Sequence, residues 1–475
     1  MNWMYILPEI IIAASALAII IADLISRKPV IITTIAIVGI AASLIAACTS
    51  TVTFEPVFDG MLFIDGWSRL LKVLLLVVAG SVVIASTDYH ARLKHSWAEF
   101  HALVLFSLLG MMLMPSAGNL ISAFIAIEIT SISFFVMVGM LKTPLSSEAS
   151  LKMMLTGGIA AAVMLYGMAF IFGSTGSTSL AEIALSSQPD FSSGLLLGAL
   201  LLLAGLLFEA GAVPFHMWLP DAYEGAPTPV TMYLSAGSKL AGIAVIARVF
   251  SMGLNNPGGL GADWGMAVAV ISALTMTLGN VLALQQSNIK RLLAYSGIVH
   301  TGYMLIAVAT IGLGGQVSGD EKLFFYMASF ALAEIAVFTA VIVITRQIGS
   351  DRIEDLAGLA RRSPLLFAIM SIGIFSLMGL PLTAGFMAKL FIFTSAVDNG
   401  LLWLMIIAVL NTVISAYYYL RIIRVMWLGK PSDGSALSLP KAPGLISIFS
   451  ALGILLLGIA PYLLLKLAEN IIFIP

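Results

Sequence analysis

The stretch LLLAGLLFEAGAVPFHMWLPDAYEGAPTPVTMYLSAGSKLAG, residues 201–242, begins and ends with apolar runs typical of membrane spans, yet it carries charged residues and prolines. Glu209 and Lys239 stand within these runs, where a charged group costs about 2.5–3.5 kcal/mol on insertion scales. Pro214 interrupts the first run, and a membrane tolerates a broken helix only where protein or a hydrated cavity covers the freed backbone groups. The stretch therefore predicts a membrane protein that uses buried charges.

The composition of the whole chain agrees with a membrane setting. Of the 475 residues, 60% are hydrophobic and only 10% are charged, whereas a soluble domain carries about 25% charged residues. The net charge of −1 argues against a basic nucleic-acid surface, so we expect no nucleic-acid partner. Cys48 is the only cysteine, which excludes a disulfide framework and an iron–sulfur cluster held by cysteines of this chain alone.

The apolar runs predict an all-α membrane protein. A helix needs about 20 apolar residues to cross a bilayer, and we count about fourteen such runs. The longest polar connections, near 174–193, 346–363 and 428–442, are too short to form a soluble domain. The runs lie near residues 5–25, 30–50, 69–86, 99–115, 119–141, 150–173, 194–218, 227–251, 264–285, 292–313, 323–345, 364–395, 402–427 and 443–465.

The basic residues of the loops predict an orientation. With the N-terminus outside, most lysine and arginine residues of the connections fall on the inner side, as the positive-inside rule requires. Examples are the pairs Lys290 with Arg291 and Arg361 with Arg362. We therefore expect a multi-pass protein whose N-terminus lies on the outer side.

Two of the predicted spans are interrupted, the seventh by Pro214 and the twelfth by Pro381 and Gly385. Corresponding broken helices in two halves of a chain indicate an inverted-repeat transporter with its site near the middle of the membrane. We therefore expect two inverted five-helix repeats, spans 4–8 and 9–13. The predicted division is an N-terminal three-helix segment, a first repeat, a second repeat and a C-terminal helix, at 1–98, 99–252, 264–427 and 443–475.

Six ionisable residues lie in or near the predicted spans. Burial favours the neutral form of such a group, so a buried lysine or glutamate can exchange a proton near neutral pH. A purely structural interpretation is also open, since a buried glutamate and lysine can neutralise each other and a histidine can satisfy a core hydrogen bond. A cavity for a sugar or a drug would be expected to carry clustered aromatic and amide side chains beside these charges, and that pattern is not evident here. The transported species is therefore better explained as a proton or Na⁺. The six residues are Glu128, Glu209, Lys239, His300, Glu334 and Lys389.

Three further charged residues near the ends of spans receive other interpretations. Arg248 stands at the outer end of the eighth span, where its long side chain could reach the membrane surface as an anchor. Glu9 and Asp23 stand near the ends of the first span, where we expect interfacial positions.

Several stretches resemble the antiporter-like N-subunit family of complex I, the proton-pumping NADH:quinone oxidoreductase. The resemblance runs through essentially the whole chain and implies a fourteen-helix bundle with inverted repeats. Its most specific parts are the proline-rich and tyrosine-rich stretches. The stretches are LPEIIIAASALAIIIADL, VPFHMWLPDAYEGAPTPVTMYLSAGSKLAG, NIKRLLAYSGIVHTGY, GLPLTAGFMAKLFIF and NTVISAYYYLRII.

The resemblance implies roles for named residues. The family's fifth-helix glutamate falls on Glu128, and its eighth- and twelfth-helix lysines fall on Lys239 and Lys389. Its seventh-helix lysine is replaced here by Glu209, which reverses the charge expected to face Glu128. As a hypothesis, Lys152 near the inner end of the sixth span replaces that lysine as the partner of Glu128.

Other positions depart from the family as well. Glu334 stands where the family is expected to have a neutral polar residue. The resemblance also implies an order of events. Glu128 and its partner change their charge state, this change alters the pKa of Lys239, and Lys389 exchanges a proton with the outer side.

The resemblance also implies partners. The chain shows no recognisable flavin, haem, nucleotide or metal site, so flavin and iron–sulfur clusters are expected in partner subunits of a prokaryotic cell membrane complex. Quinone-site subunits and other antiporter-like subunits are expected beside it. Two alternatives stay open: a subunit of an Mrp-type monovalent cation/proton antiporter, and a purely structural subunit. The LPEIII and SAYYYLRII stretches favour the complex I family over the Mrp type.

Overall fold

A computed structural model describes residues 3–26, 28–53, 56–89, 93, 96–186, 193–255, 260–314, 319–431 and 435–469. Over these ranges thirteen helices are long and apolar enough to cross a membrane, and a fourteenth span consists of two shorter helices. The predicted all-α fold with about fourteen spans is confirmed. The spans are Trp3–Ser26, Pro29–Thr49, Gly66–Ala85, Trp97–Ser116, Leu120–Leu141, Pro144–Thr175, Ser193–Ala210, Thr228–Gly253, Leu260–Leu284, Ile289–Gly312, Asp320–Ile348, Pro364–Met378 with Ala384–Asp398, Leu402–Leu428 and Lys441–Ile459.

Several spans begin at a polar residue that caps the helix. Asp65 accepts a hydrogen bond from the Ser68 amide at 2.9 Å, and Asn119 accepts one from the Ile121 amide at 2.8 Å. Such side chains satisfy amide groups that lack a partner in the first turn of a helix. These residues therefore set where the third and fifth spans start.

The centre of the bundle consists of the eighth, tenth and eleventh spans, which are almost entirely buried by the rest of the chain. The first, second, sixth, thirteenth and fourteenth spans keep most of their surface facing outward. Apolar side chains on an outward face are compatible with lipid, which is as apolar as they are. A charge in the middle of these three spans is therefore surrounded by protein rather than by water or lipid.

Both predicted broken helices are present. The seventh span ends at Ala210, an irregular turn follows, and a short helix resumes at Trp218–Gly225. The sequence analysis placed this short helix in a connecting loop. In the twelfth span the first helix ends at Gly379, whose φ of +87° is a left-handed conformation that favours glycine, and the second helix begins at Ala384.

A third irregularity was not predicted. In the eighth span, residues Leu234–Ser238 form one π-helical turn directly before Lys239. Such turns are rare inside α-helices and are frequent at functional sites. The π turn places two serines beside the buried lysine.

The described parts of the long connections contain only short helical elements. The first contains the helix Leu180–Ser186 and the second contains the helical turns Ile353–Leu356 and Leu359–Arg362. Residues 187–192 of the first connection, 315–318, 432–434 and 470–475 lie outside the described residues. The division into an N-terminal three-helix segment, two repeats and a C-terminal helix stays a prediction.

Two sequence interpretations are wrong because each residue has a distant partner that covers it. Arg248 is not a surface anchor: its guanidinium is fully buried and forms two bonds of 2.6 Å with Asp65 on the third span. Glu9 is not interfacial: it is buried and lies 2.6 Å from the Lys72 ammonium. Both pairs join spans far apart in the chain, which no local pattern reveals.

Candidate functional site

The predicted acidic residues of the fifth and seventh spans line one cavity. It has a volume of about 290 Å³, and its walls include Glu128, Ser131 and Glu209 beside apolar side chains of the sixth span. Glu128 is half-buried, and its carboxylate has no hydrogen bond from the described residues. The two carboxylates are close enough for their charges to interact. The cavity therefore brings together the two groups of like charge that the sequence analysis paired.

Glu209 is buried and connects three spans. One of its oxygens accepts a hydrogen bond from Ser131 on the fifth span at 2.9 Å. The other accepts one from Ser238 on the eighth span at 2.8 Å. Within the described residues no lysine or arginine pairs with it. Two hydroxyl donors thus bind the carboxylate at the position where the resemblance led us to expect a lysine.

Lys239 lies at the centre of the bundle with 1% of its surface exposed. Its ammonium has no hydrogen-bond partner among the described groups and lies 5.9 Å from the centre of the Tyr223 ring. A Cβ atom on Gly297 of the tenth span would come within 2.2 Å of the ammonium. The glycine therefore supplies the space that this cation occupies.

Glu334 on the eleventh span is fully buried and contacts the π turn Leu234–Ser238. One of its oxygens accepts a hydrogen bond from Ser235 at 2.9 Å, while the other has no partner in the described part of the chain. The charges of Glu334 and Lys239 interact, but the two groups form no direct ion pair. The π turn Leu234–Ser238 thus presents one serine to Glu209 and one to Glu334, with Lys239 next in the chain.

His300 lies between the two buried lysines. Its Nδ1 atom lies 2.7 Å from the Tyr326 hydroxyl, and its Nε2 atom lies 3.4 Å from the Tyr419 hydroxyl. It also lines a cavity of about 10 Å³ beside Ser376 and Leu377 of the broken twelfth span. A space of about that size is near the smallest that holds a water molecule. Both ring nitrogens of His300 therefore face hydroxyl groups.

Lys389 stabilises the break in the twelfth span. Its buried ammonium donates hydrogen bonds of 3.0 Å to the carbonyl oxygens of Leu377 and Met378, the last residues of the first half-helix. These carbonyls have no partner within the helix and form the negative end of its dipole. The ammonium also lies 4.9 Å from the centre of the Tyr303 ring. The break thereby creates a binding position for one cation.

Lys152 belongs to a different group. Its ammonium, about half exposed, pairs with Glu148 and Asp221 at 2.8 Å each. Asp221 also pairs with Arg291 at 2.7 Å. The structure therefore does not bring Lys152 to Glu128, and the hypothesis of that partnership has no geometric support. The pairs do place these ends of the sixth, seventh and tenth spans on one side of the membrane.

Sequence reasoning missed the groups that connect the charges. Ser131, Ser235 and Ser238 donate hydrogen bonds to the two buried glutamates. Tyr326 and Tyr419 contact His300 from the eleventh and thirteenth spans. A usable signal was present in LSAGSK, where two serines three residues apart precede a lysine inside a span.

No group of three or more histidine, cysteine, aspartate or glutamate side chains within the described ranges could hold a metal ion. The site is instead a row of buried carboxylates, ammonium groups, hydroxyls and one imidazole that crosses the bundle from the fifth to the twelfth span. The two broken spans and the π turn position the groups of this row. This fold and this row of groups define the class of antiporter-like membrane subunits.

Comparisons with known proteins agree with that class. Residues 117–415 match the family described as NADH:quinone oxidoreductase/Mrp antiporter, transmembrane. The chain is 40% identical over 474 residues to NADH-quinone oxidoreductase subunit N of Dehalococcoides mccartyi, covering 98% of each chain. The chain belongs to the NADH-quinone oxidoreductase subunit N family.

Solved structures share the fold. A chain of respiratory complex I from Thermus thermophilus has 31% identity and a TM-score of 0.83, with coverage of 97% of this chain and 99% of that one. A chain of the Mrp complex from a Dietzia species has a TM-score of 0.86 at 20% identity, with coverage of 99% and 97%. The second likeness shows the fold alone.

Proposed function

We propose that this chain translocates protons in the membrane arm of a complex I-like respiratory oxidoreductase and couples quinone reduction to proton transfer across the membrane. The observation that carries the proposal is the buried row of ionisable groups from Glu128 to Lys389, held by three helix irregularities. Intramembrane ionisable residues are functional sites by default, because they are costly to keep. The relatives named as NADH-quinone oxidoreductase subunit N support this function over an Mrp-type antiporter.

In the proposed mechanism, Glu128 and Glu209 respond first, when a neighbouring subunit changes charge. Two carboxylates of one cavity repel each other when both are ionised, so a proton on one favours ionisation of the other. Ser238 connects Glu209 to the π turn that carries Lys239. Lys239 and Glu334 then exchange a proton, and Lys389 exchanges one with the outer side.

The electrostatic coupling is large enough for this work. Two unit charges about 8 Å apart at an effective dielectric constant of about 20 interact by about 2 kcal/mol. Moving one charge against a potential of about 100 mV costs about 2.3 kcal/mol. One or two changes in the charge of a neighbouring group therefore suffice to drive a proton across part of the membrane.

The redox chemistry belongs to partners in this proposal. The chain has no redox site of its own, and flavin, iron–sulfur clusters and the quinone site are in other subunits. Further antiporter-like subunits lie beside it in a prokaryotic cell membrane, and its N-terminus faces the outer side.

The test is proton uptake per electron transferred in membrane vesicles that carry the assembled complex with Lys239→Met. We expect proton uptake to fall several-fold, alone or together with electron transfer, while the complex stays assembled. The matched control is Lys430→Met, because Lys430 is exposed after the thirteenth span. Rates of proton uptake and of electron transfer that both equal those of the unmodified complex would contradict the role of Lys239.

A further inference from the structure

Three consecutive tyrosines on the thirteenth span have different surroundings. Tyr417 is 64% exposed on the outward face. Tyr418 is buried, and its hydroxyl donates a hydrogen bond of 3.0 Å to Asn280 on the ninth span. Tyr419 is also buried, and its hydroxyl lies between Ser296 and His300 of the tenth span. Only Tyr419 of the three contacts the row of ionisable groups.

Tyr419 completes a continuous line of hydrogen-bonding groups. Its hydroxyl contacts the Ser296 hydroxyl on one side and lies 3.4 Å from Nε2 of His300 on the other. His300 continues the line through Nδ1, which lies 2.7 Å from the Tyr326 hydroxyl. When Nδ1 of the neutral imidazole carries the proton and donates it to Tyr326, Nε2 presents a lone pair to Tyr419.

Charged groups of both halves of the site act on this line. The charge of Glu334 acts on Tyr419, and one Glu334 oxygen has no partner in the described part of the chain. At the other end, His300 borders the small cavity beside Leu377, whose carbonyl oxygen binds the Lys389 ammonium. The line therefore spans the region between the Lys239–Glu334 half and the Lys389 half.

We propose that the Tyr419 hydroxyl relays protons between these two halves. The inference rests on the function proposed above. A proton from the Glu334 side binds Ser296 as that hydroxyl passes its own proton to Tyr419, and Tyr419 passes its proton to Nε2 of His300. The imidazolium then passes its Nδ1 proton to Tyr326 as that hydroxyl releases its own proton toward neutral Lys389 through the small cavity, which Tyr326 also lines. Each group gains one proton and loses one, so one proton moves and no tyrosinate forms.

A hydroxyl suits this position physically. It donates and accepts in the same group, and it stays neutral between transfers. The separation of 3.4 Å exceeds a strong hydrogen bond, so the transfer requires Tyr419 and His300 to approach each other. Catalytic hydrogen bonds are often long in a resting structure and shorten in the working state.

The test compares Tyr419→Phe with Tyr418→Phe in vesicles that carry the assembled complex. Tyr418 is the control because it is the adjacent buried tyrosine, its ring packs against that of Tyr419 at 4.6 Å, and its hydroxyl donates to Asn280 rather than to His300. Proton uptake per electron and the solvent isotope effect on it are measured. We expect Tyr419→Phe to lower proton uptake at least about tenfold, since a positioned proton-transfer group contributes about 10²–10⁴-fold, and Tyr418→Phe to leave it within about twofold.

Two further variants separate the outcomes. If Lys239→Met lowers proton uptake while Tyr419→Phe does not, the relay is overturned and the proposed function stands; if neither does, both are overturned. If Tyr419→Phe fails to assemble, 3,5-difluorotyrosine at position 419 keeps the hydroxyl and makes it more acidic. The pH profile of proton uptake should then move toward lower pH, and an unchanged profile overturns the relay.

Discussion

Glu209 shows how a carboxylate can be buried in the membrane part of a protein without a cation beside it. Its carboxylate accepts hydrogen bonds from Ser131 and Ser238, so its burial is compensated without a cation. The sequence predicted the position and charge of Glu128, Glu209, Lys239 and Lys389, because a charge inside an apolar run is visible without a structure. It could not predict which hydroxyls meet them, because those donors come from other spans.

We therefore expect Glu209→Gln to lower proton uptake per electron several-fold with little effect on assembly. The amide keeps the size of the side chain and can still accept from one serine, but it can neither ionise nor repel Glu128. Proton uptake in vesicles and a native gel of the complex measure the two effects. The control is Glu99→Gln, since Glu99 is exposed at the start of the fourth span. Normal coupling in Glu209→Gln would mean that Glu209 only satisfies the two serines.

At the scale of the helix, the π turn Leu234–Ser238 supplies hydrogen-bond donors to two buried glutamates directly before Lys239. Prolines predicted the two broken spans, because a missing amide is a property of the residue itself. Nothing in the stretch YLSAGSK requires a π turn, which depends on the packing of the eighth span against its neighbours. The sequence therefore predicted two of the three irregularities that hold the site.

The turn leads to a prediction about Ser235. In Ser235→Ala, Glu334 loses its hydrogen-bond donor among the described residues, which favours its protonated form and weakens its attraction for Lys239. Proton uptake should fall several-fold, and combining Ser235→Ala with Glu334→Gln should cost little beyond Glu334→Gln alone. Ser447→Ala is the control, because Ser447 is buried on the fourteenth span and its hydroxyl bonds the backbone of its own helix at Gly444. Additive losses in the double variant would contradict the link between Ser235 and Glu334.

At the scale of the whole molecule, two kinds of buried charge are present. The groups of the central row lack direct ion pairs, whereas Glu9 with Lys72 and Asp65 with Arg248 form close pairs between distant spans. A close pair fixes both charges, and a charge without a partner is free to change its protonation. We therefore assign the close pairs to stability and the central row to transport.

This division predicts opposite results from single and double changes in the Glu9–Lys72 pair. Lys72→Met leaves a buried carboxylate without its cation, which costs about 3–5 kcal/mol, and should lower the melting temperature of the detergent-purified complex. Replacing both residues, with Glu9→Leu and Lys72→Met, removes the uncompensated charge and should recover most of that loss, since apolar side chains often replace a buried pair without penalty. Proton uptake per electron in the double variant should match the unmodified complex. A stable double variant that no longer takes up protons would place Glu9 and Lys72 on the proton path and extend the functional row into the N-terminal three-helix segment.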